Sequence, residues 1–438
     1  MTDLLAARAQ MAVSLGFHIV FAAIGMTMPF FLFVAEYKWL KTGKEIYLQL
    51  AKAWSKGVAI FFAIGAVSGT VLSFELGLLW PEFMEHAGPI VGMPFSWEGS
   101  AFFTEAIALG LYLYGWKRLN KWVHLSSGLL IGIAGVASGF FVIAANGWMN
   151  SPEGFDWING RAFNIDPVDA MFNAAWISQS THMIFAAFAA TGFGVAGLHA
   201  LLLLRNKYRE FHEKAIRIAL TFGAVAALIM PFSGDLSAKN VAGRQPEKLA
   251  AMEAHFMTSN RAPLFIGGIP DEDTREVKYA LKLPGLLSFL AYGNFNAEVK
   301  GLNEFPQDEW PPVLLTHLGF QLMVLVGMLM AIIALFYFLF SWRWKHLLGK
   351  SWWLKILVVA TPFGYIGIET GWMVTELGRQ PWIIYHIMRT EEALTHMPGL
   401  IYPLLLITGI YILLTALSFV LMNRQIRFIH QGAGRKIK

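Results

Sequence analysis

Residues 9–35 read AQMAVSLGFHIVFAAIGMTMPFFLFVA, a run without one Asp, Glu, Lys or Arg. A helix needs about 20 apolar residues to cross the hydrocarbon core of a bilayer, and this run is long enough. Four further uncharged runs follow at 122–152, 170–204, 313–341 and 393–423. The chain has 438 residues, 56% of them hydrophobic and only 14% charged, against about 25% charged in typical soluble domains. The charges cluster between the apolar runs. The expected class is an all-α integral membrane protein rather than a soluble domain with a large core.

Working outward from these runs, nine transmembrane helices are expected, at roughly 11–35, 55–80, 96–116, 122–147, 178–204, 215–234, 313–341, 353–375 and 399–422. The sixth is short, and the third and eighth carry carboxylates, so those three rest on pattern as well as hydropathy. The organisation is then helices 1–6 over 1–234, one long extracytoplasmic loop over 235–312, and helices 7–9 with a cytoplasmic tail over 313–438. The opening MTDLLAARAQ has an acidic residue and no basic n-region, so the first apolar run is expected to be retained. There is no cysteine, which excludes disulfides, iron–sulfur ligation and CxxCH haem attachment. The net charge of +5 arises from loop lysines and arginines and makes a poor argument for nucleic acid.

Orientation follows from the distribution of Lys and Arg. Of the 34 basic residues, 22 fall in the loops 36–56, 117–121, 205–217 and 342–355 and in the tail 423–438. The other side holds 12, of which 8 lie in the long loop, and long loops count little. The N-terminus is placed outside, and the C-terminus in the cytoplasm. Lys56, Arg217 and Lys355 sit at the ends of their spans and no basic residue remains in a span's interior, so the intramembrane polar groups are carboxylates, histidines and amides.

Glu98 and Glu105 in the third span are seven residues apart and share one helix face, about 10 Å apart along the axis. An intramembrane carboxylate is a functional candidate because burying it charged is costly. A single one is as readily a protonated structural group, but two on one face favour a proton path. The segment after Trp80, with Glu82, Glu85 and His86, is expected as a solvated outer loop. The fourth span, rich in Gly and Ala, suits close helix packing and is assigned no chemistry. In the long loop, 248–256 has the pattern of an amphipathic helix, which would serve as a structural cap or as a lid over a ligand. The stretch 271–310 is polar and turn-rich.

His18, His182 and Met323 sit in apolar surroundings, and Glu376 and Arg379 lie in GWMVTELGRQPW at 371–382. A lone histidine on an apolar face is more often bonded to a backbone carbonyl, and a methionine in a membrane helix is usually packing; this chain has 19. His, Met, Tyr and Cys, and less often a carboxylate, bind haem iron axially, and a His/Met pair gives six-coordinate iron of raised potential. By the expected topology His182 and Met323 lie in the outer parts of their spans and can meet at one depth. His18 and Glu376 also lie toward the outside, and a single-ligand site leaves iron an open position.

At this point the motifs resemble subunit I of the cytochrome bd-type quinol oxidases. The matching pieces are ARAQMAVSLGFHIVF at 7–21 with its preceding alanine, FSWEGSAFFTEA at 95–106, the segment around His182, GDLSAKNVAGRQPEKLAAMEA at 234–254, LGFQLMV at 318–324 and GWMVTELGRQPW. They cover most of the chain in the family's order. The resemblance implies a terminal respiratory oxidase subunit of a bacterial-type cytoplasmic membrane, oxidising quinol at the outer face and reducing dioxygen to water, without pumping protons. It implies His182 and Met323 as ligands of a low-spin haem b. His18 and Glu376 would serve two high-spin haems, haem b and haem d or both haem b. It implies Glu98 and Glu105 as the acidic pair of a proton route, and Trp372 as an aromatic side chain among the haems. Lys248 and Glu253 become the polar residues that meet quinol, and Arg379 and Arg8 groups that neutralise haem propionates or shape the pocket. The implied partners are a second large membrane subunit, subunit II, and a small single-span subunit. Two departures stand out: Gln321 occupies a position where some members have Arg, and the outer loop is of the shorter type.

Three other readings were weighed. A haem–copper oxidase needs clustered histidines, and here they are scattered. A polytopic proton or cation transporter would use Glu98, Glu105 and Glu369 as a relay. A bis-histidine b-type cytochrome is disfavoured because His182 and His199 fall near opposite faces of the membrane.

Overall fold

A computed structural model describes residues 1–158, 160–205 and 208–432. Four long helices come first: α1 (Asp3–Thr42), α2 (Glu45–Leu79), α3 (Pro81–Gly115) and α4 (Lys121–Asn150). A short α5 (Pro167–Met171) leads into α6 (Trp176–Leu204) and α7 (Arg209–Arg244). The long segment that follows contains α8 (Pro246–Met252) and α9 (Leu286–Tyr292). The last group is α10 (Val313–Arg343), α11 (Ser351–Val359), α12 (Phe363–Leu377) and α13 (Ile401–Gly432). Local signals match these ends. Thr2 caps α1 by accepting from the Leu5 amide, and Gly43, in the left-handed region, closes it. Pro81 sits in the first turn of α3, where its missing N–H costs nothing.

Among the described residues, eight helical stretches are long and apolar enough to cross a membrane. The expected third span, α3, is as long as α2 at 35 residues, but it is not apolar enough to stand among those eight. The chain is not purely helical. Five small antiparallel two-stranded ladders decorate the loops.

Several expected boundaries are corrected. There is no outer loop after Trp80: Glu82, Glu85 and His86 lie within α3, which begins one residue after Trp80. The sixth span does not close at PFSGD. α7 runs through Pro231 to Arg244, since one missing backbone donor does not stop a helix whose sides are packed. The long loop therefore begins with helix rather than coil. The amphipathic stretch expected at 248–256 is helical only over Pro246–Met252. The eighth span is two helices, because Pro362 interrupts the ladder after Val359. Lys207 of the expected inner loop and Arg435, Lys436 and Lys438 of the expected cytoplasmic tail lie outside the described residues.

Small residues bring the helices to close range. A Cβ added at Gly192 of α6 would lie 2.4 Å from the Gly223 Cα of α7, and one at Gly364 of α12 would lie 2.2 Å from the Ala190 Cα. In α4, Gly132 faces the Phe30 ring and Gly135 faces the Met26 backbone. α6 and α10 each pack against both α7 and α12, while α1 packs against α2, α4, α6 and α13. Gly192→Ala is expected to lower the thermal unfolding midpoint of the solubilised protein, costing about 1–3 kcal/mol. Gly327→Ala, whose added methyl meets nothing within 4 Å, should leave the midpoint in place. Equal responses in the two variants would refute the close-packing account.

Candidate functional site

Two intramembrane histidines are held in the same way. His182 of α6 has Nδ1 3.0 Å from Ser233 Oγ of α7. That hydroxyl already donates to the Met230 carbonyl at 3.1 Å. Its single proton being committed, Ser233 accepts from His182 Nδ1–H, and the Nε2 lone pair is left for another partner. His18 of α1 repeats the arrangement on α2. Its Nδ1 lies 2.9 Å from Ser68 Oγ, and that hydroxyl donates at 3.1 Å to the Ile64 and Gly65 carbonyls. An imidazole oriented through one nitrogen, with the other free, is the form that binds a metal. Both rings also need a neighbour without a side chain. A Cβ at Gly69 would lie 2.9 Å from His18 Cε1, and one at Gly234 would lie 3.4 Å from His182 Cε1.

Met323 of α10 points its thioether at α12, where a Cβ on Gly371 would come within 3.0 Å of the sulfur. Trp372, the next residue, lies against an apolar cluster made by Ile19, Ala23 and Met26 of α1, Ala187 and Ala190 of α6, and Ile368 of α12. The helices bearing His18, His182 and Glu376 thus share one apolar centre, with Trp372 at its edge.

Glu376 ends α12. One oxygen accepts from Asn146 Nδ2 of α4 at 2.5 Å, and the other accepts from Arg379 Nη2 at 2.7 Å. Arg379 is buried, at 2% exposure, and its Nε and Nη1 have no hydrogen-bond partner among the described residues. Lys248 of α8 is buried beside them, donating to Asn150 Oδ1 at 3.0 Å and to the Thr375 carbonyl at 3.2 Å. Burial, with Arg379 nearby, lowers the Lys248 ammonium to about 7, against the pull of Glu376. Two buried cations around one carboxylate, with two N–H groups unanswered, are suited to an additional anion.

The donor set fits an iron porphyrin. Free imidazole nitrogens, a thioether and a carboxylate are axial ligand types, and the unanswered Arg379 N–H groups match a propionate. Among the described residues no three of His, Cys, Asp or Glu converge as a bare metal ion would require. Arg8 is half-buried near the start of α1 and makes no ion pair among the described residues.

Glu105 is buried where α3 meets α1 and α4, with its carboxylate oxygens 3.8 Å and 3.6 Å from where Cβ atoms on Gly25 and Gly135 would stand. Glu98 lies two turns earlier on α3 and is partly buried. Glu369 approaches Gly16 of α1, on a different helix from that pair. Glu253 closes α8, five residues after Lys248, and is buried with Oε2 lacking a partner among the described residues. Burial raises its carboxyl to about 8.

Sequence reasoning missed Ser68, Ser233, Asn146 and Asn150. The fourth span was assigned no chemistry, yet it supplies the amide that holds Glu376; the signal was two Asn residues one turn apart in the apolar run ANGWMN. Gln321, singled out as a departure, fastens the segment between α8 and α9. Its side chain donates to the Phe265 carbonyl and accepts from the Gly267 amide, each at 3.0 Å. His199 is engaged near the other end of α6, with His212 at 2.8 Å and Trp54 at 3.2 Å.

Comparison with known proteins gives the family. The family described as cytochrome bd terminal oxidase subunit I matches residues 6–429. A Bacillus subtilis (strain 168) protein provisionally named cytochrome bd menaquinol oxidase subunit I is 37% identical, covering 96% of each chain. A second protein of that strain, cytochrome bd ubiquinol oxidase subunit 1, is 32% identical over 98% of this chain and 94% of its own. The solved bd oxidase from Geobacillus thermodenitrificans superposes with a TM-score of 0.92 at 38% identity, covering 97% of this chain and 98% of that one. The chain belongs to the cytochrome bd terminal oxidase subunit I family.

Proposed function

We propose that this chain is the catalytic subunit of a quinol:oxygen oxidoreductase in a bacterial cytoplasmic membrane. The observation that carries the reading is the twin serine–histidine arrangement, which presents two free imidazole nitrogens inside the membrane. In this reading α3 is the ninth span, the N-terminus is outside, the C-terminus is cytoplasmic, and 235–312 is the extracytoplasmic quinol loop. Subunit II and a small single-span subunit complete the assembly.

His182 and Met323 would hold a low-spin haem b, and His18 and Glu376 two high-spin haems, of types b and d or both b. Bound there, the haems supply one-electron relay from quinol and the iron at which dioxygen is reduced. The protein supplies the rest. Ser233 and Ser68 fix the imidazole orientations. Arg379 and Arg8 neutralise propionates, and Asn146 with Arg379 keeps Glu376 aimed. Trp372 fills the apolar space between the ligand-bearing helices.

Lys248 and Glu253 meet the quinol head group at the outer face. A carboxyl that titrates near 8 is poised to exchange a proton at ordinary pH. Glu105 and Glu98, on one face of α3, carry protons toward the oxygen site from the cytoplasmic side. Protons released outside and taken up inside build a gradient without a pump. A cation transporter would leave the two free imidazole nitrogens and the unanswered arginine without a purpose.

Met323→Leu is expected to remove the low-spin signal from reduced-minus-oxidised spectra and to lower the haem content by one third, about one of three. Retention of signal and content would overturn the assignment. Lys248→Ala should raise the quinol KM about tenfold or more, because a buried charged contact to the head group is lost. An unchanged KM would move the quinol site elsewhere. For Glu253 the sign is set by its raised value. The folded state keeps a proton that the unfolded chain releases above 4.5, so stability falls as pH rises from there to about 8. Unfolding midpoints measured across that range should decline less steeply in Glu253→Gln, and parallel curves would contradict the burial of this carboxyl.

A further inference from the structure

Glu247, the residue before Lys248, is joined to a hairpin formed by Trp382–Ile384 and Met388–Arg389. The Tyr385 hydroxyl donates a short hydrogen bond to Glu247 Oε2. Glu247 Oε1 lies 3.0 Å from His386 Nε2. The Glu247 side chain is 7% exposed and that of His386 is 50% exposed. His386 occupies the left-handed region, with φ 56°, a conformation that is strained for a non-glycine residue. Its ring stacks on Tyr385, with centroids 4.1 Å apart. A hairpin tip that needed only to turn would favour glycine there. These groups form a continuous line from the buried end of α8 to the surface.

We infer that Tyr385, Glu247 and His386 form the relay by which quinol protons leave the buried pocket for the outer solution. The inference rests on the reading of α8 as the quinol-facing surface. Quinol oxidation releases two protons and two electrons, so the relay runs twice: each time a quinol O–H bond breaks, its electron pair stays on the oxygen, and one electron leaves toward dioxygen as the ring becomes quinone. The proton goes to the Tyr385 oxygen as the tyrosine hands its own proton to Glu247, making a carboxylic acid. Glu247 then protonates His386 Nε2, in the tautomer bearing its hydrogen on Nδ1, and the imidazolium loses the Nδ1 proton to water. Burial and the Glu247 carboxylate push the Tyr385 hydroxyl far up, so it stays a neutral donor. The other charges around the relay are Glu309, which acts on Tyr385, and Arg389, which lies over Trp382 and pairs with Asp308. Lys248 follows Glu247 on α8.

The test uses the assembled oxidase with Glu247→Gln, which keeps the shape of the tyrosine contact, and His386→Ala, at an exposed tip. Oxygen uptake is followed against pH with quinol, and separately with reduced tetramethyl-phenylenediamine, a one-electron donor with no quinol proton to release. In both variants quinol kcat should fall about tenfold or more, KM should stay within about twofold, and the pH profile of quinol kcat should change. Uptake with the artificial donor should be unchanged, and added imidazole should restore His386→Ala. Unaltered quinol kcat and pH profile in both variants would overturn the relay, as would equal losses with both donors and no imidazole rescue, which mark a structural strap. If Lys248→Ala also leaves KM unchanged, the quinol-pocket reading fails and takes the relay with it.

Discussion

The structure depends on a small electrostatic constraint: an imidazole buried among helices needs one nitrogen satisfied before the other can do anything specific. Ser233 and Ser68 meet that need. Each serine has already given its proton to a backbone carbonyl, so each can only accept. That fixes the tautomer of His182 and of His18. The helices must then be close enough for a serine on one to reach a histidine on the next. The glycines at 69 and 234, beside the same rings, permit that approach.

The same constraint appears with opposite charge at the end of α12. A buried guanidinium is costly unless its N–H groups are met. Arg379 has one nitrogen on Glu376 and two without a partner among the described residues, with Lys248 close by. Asn146 holds the far side of the Glu376 carboxylate. The cluster draws on α4, α8, α12 and the turn after α12. It joins the membrane-spanning helices to the segment that holds α8.

Much of this was legible in the chain itself. Uncharged runs marked most spans, because a bilayer leaves no other home for them. His18, His182, Met323 and Glu376 stood out as polar or sulfur-bearing groups near or within such runs. What escaped has physical reasons. Asn146 and the two serines look like ordinary helix residues until a neighbouring helix supplies their partner. The span boundary at PFSGD failed because tertiary packing carries α7 through Pro231. The loop expected after Trp80 failed because Pro81 is as good a helix starter as a breaker. The break in the eighth span was marked by Pro362, but the apolar window at 353–375 hides a local stop. Tyr385 and His386 carried no periodicity at all, since their role comes from a hairpin tip meeting the start of α8.

Gln321 and His317 give α10 a second office. Gln321 grips Phe265 and Gly267, and His317 reaches the Met252 carbonyl at 2.8 Å and the Gly267 carbonyl at 3.3 Å. Met323 is two residues beyond Gln321 on that helix. The segment that holds α8 and α9 is therefore clipped to the rod that bears the thioether, within a single turn of it. Any force that prises this segment away pulls on that turn. The strain is felt at the Met323 sulfur packed on Gly371, so the surface loop and the centre of the bundle move as one lever.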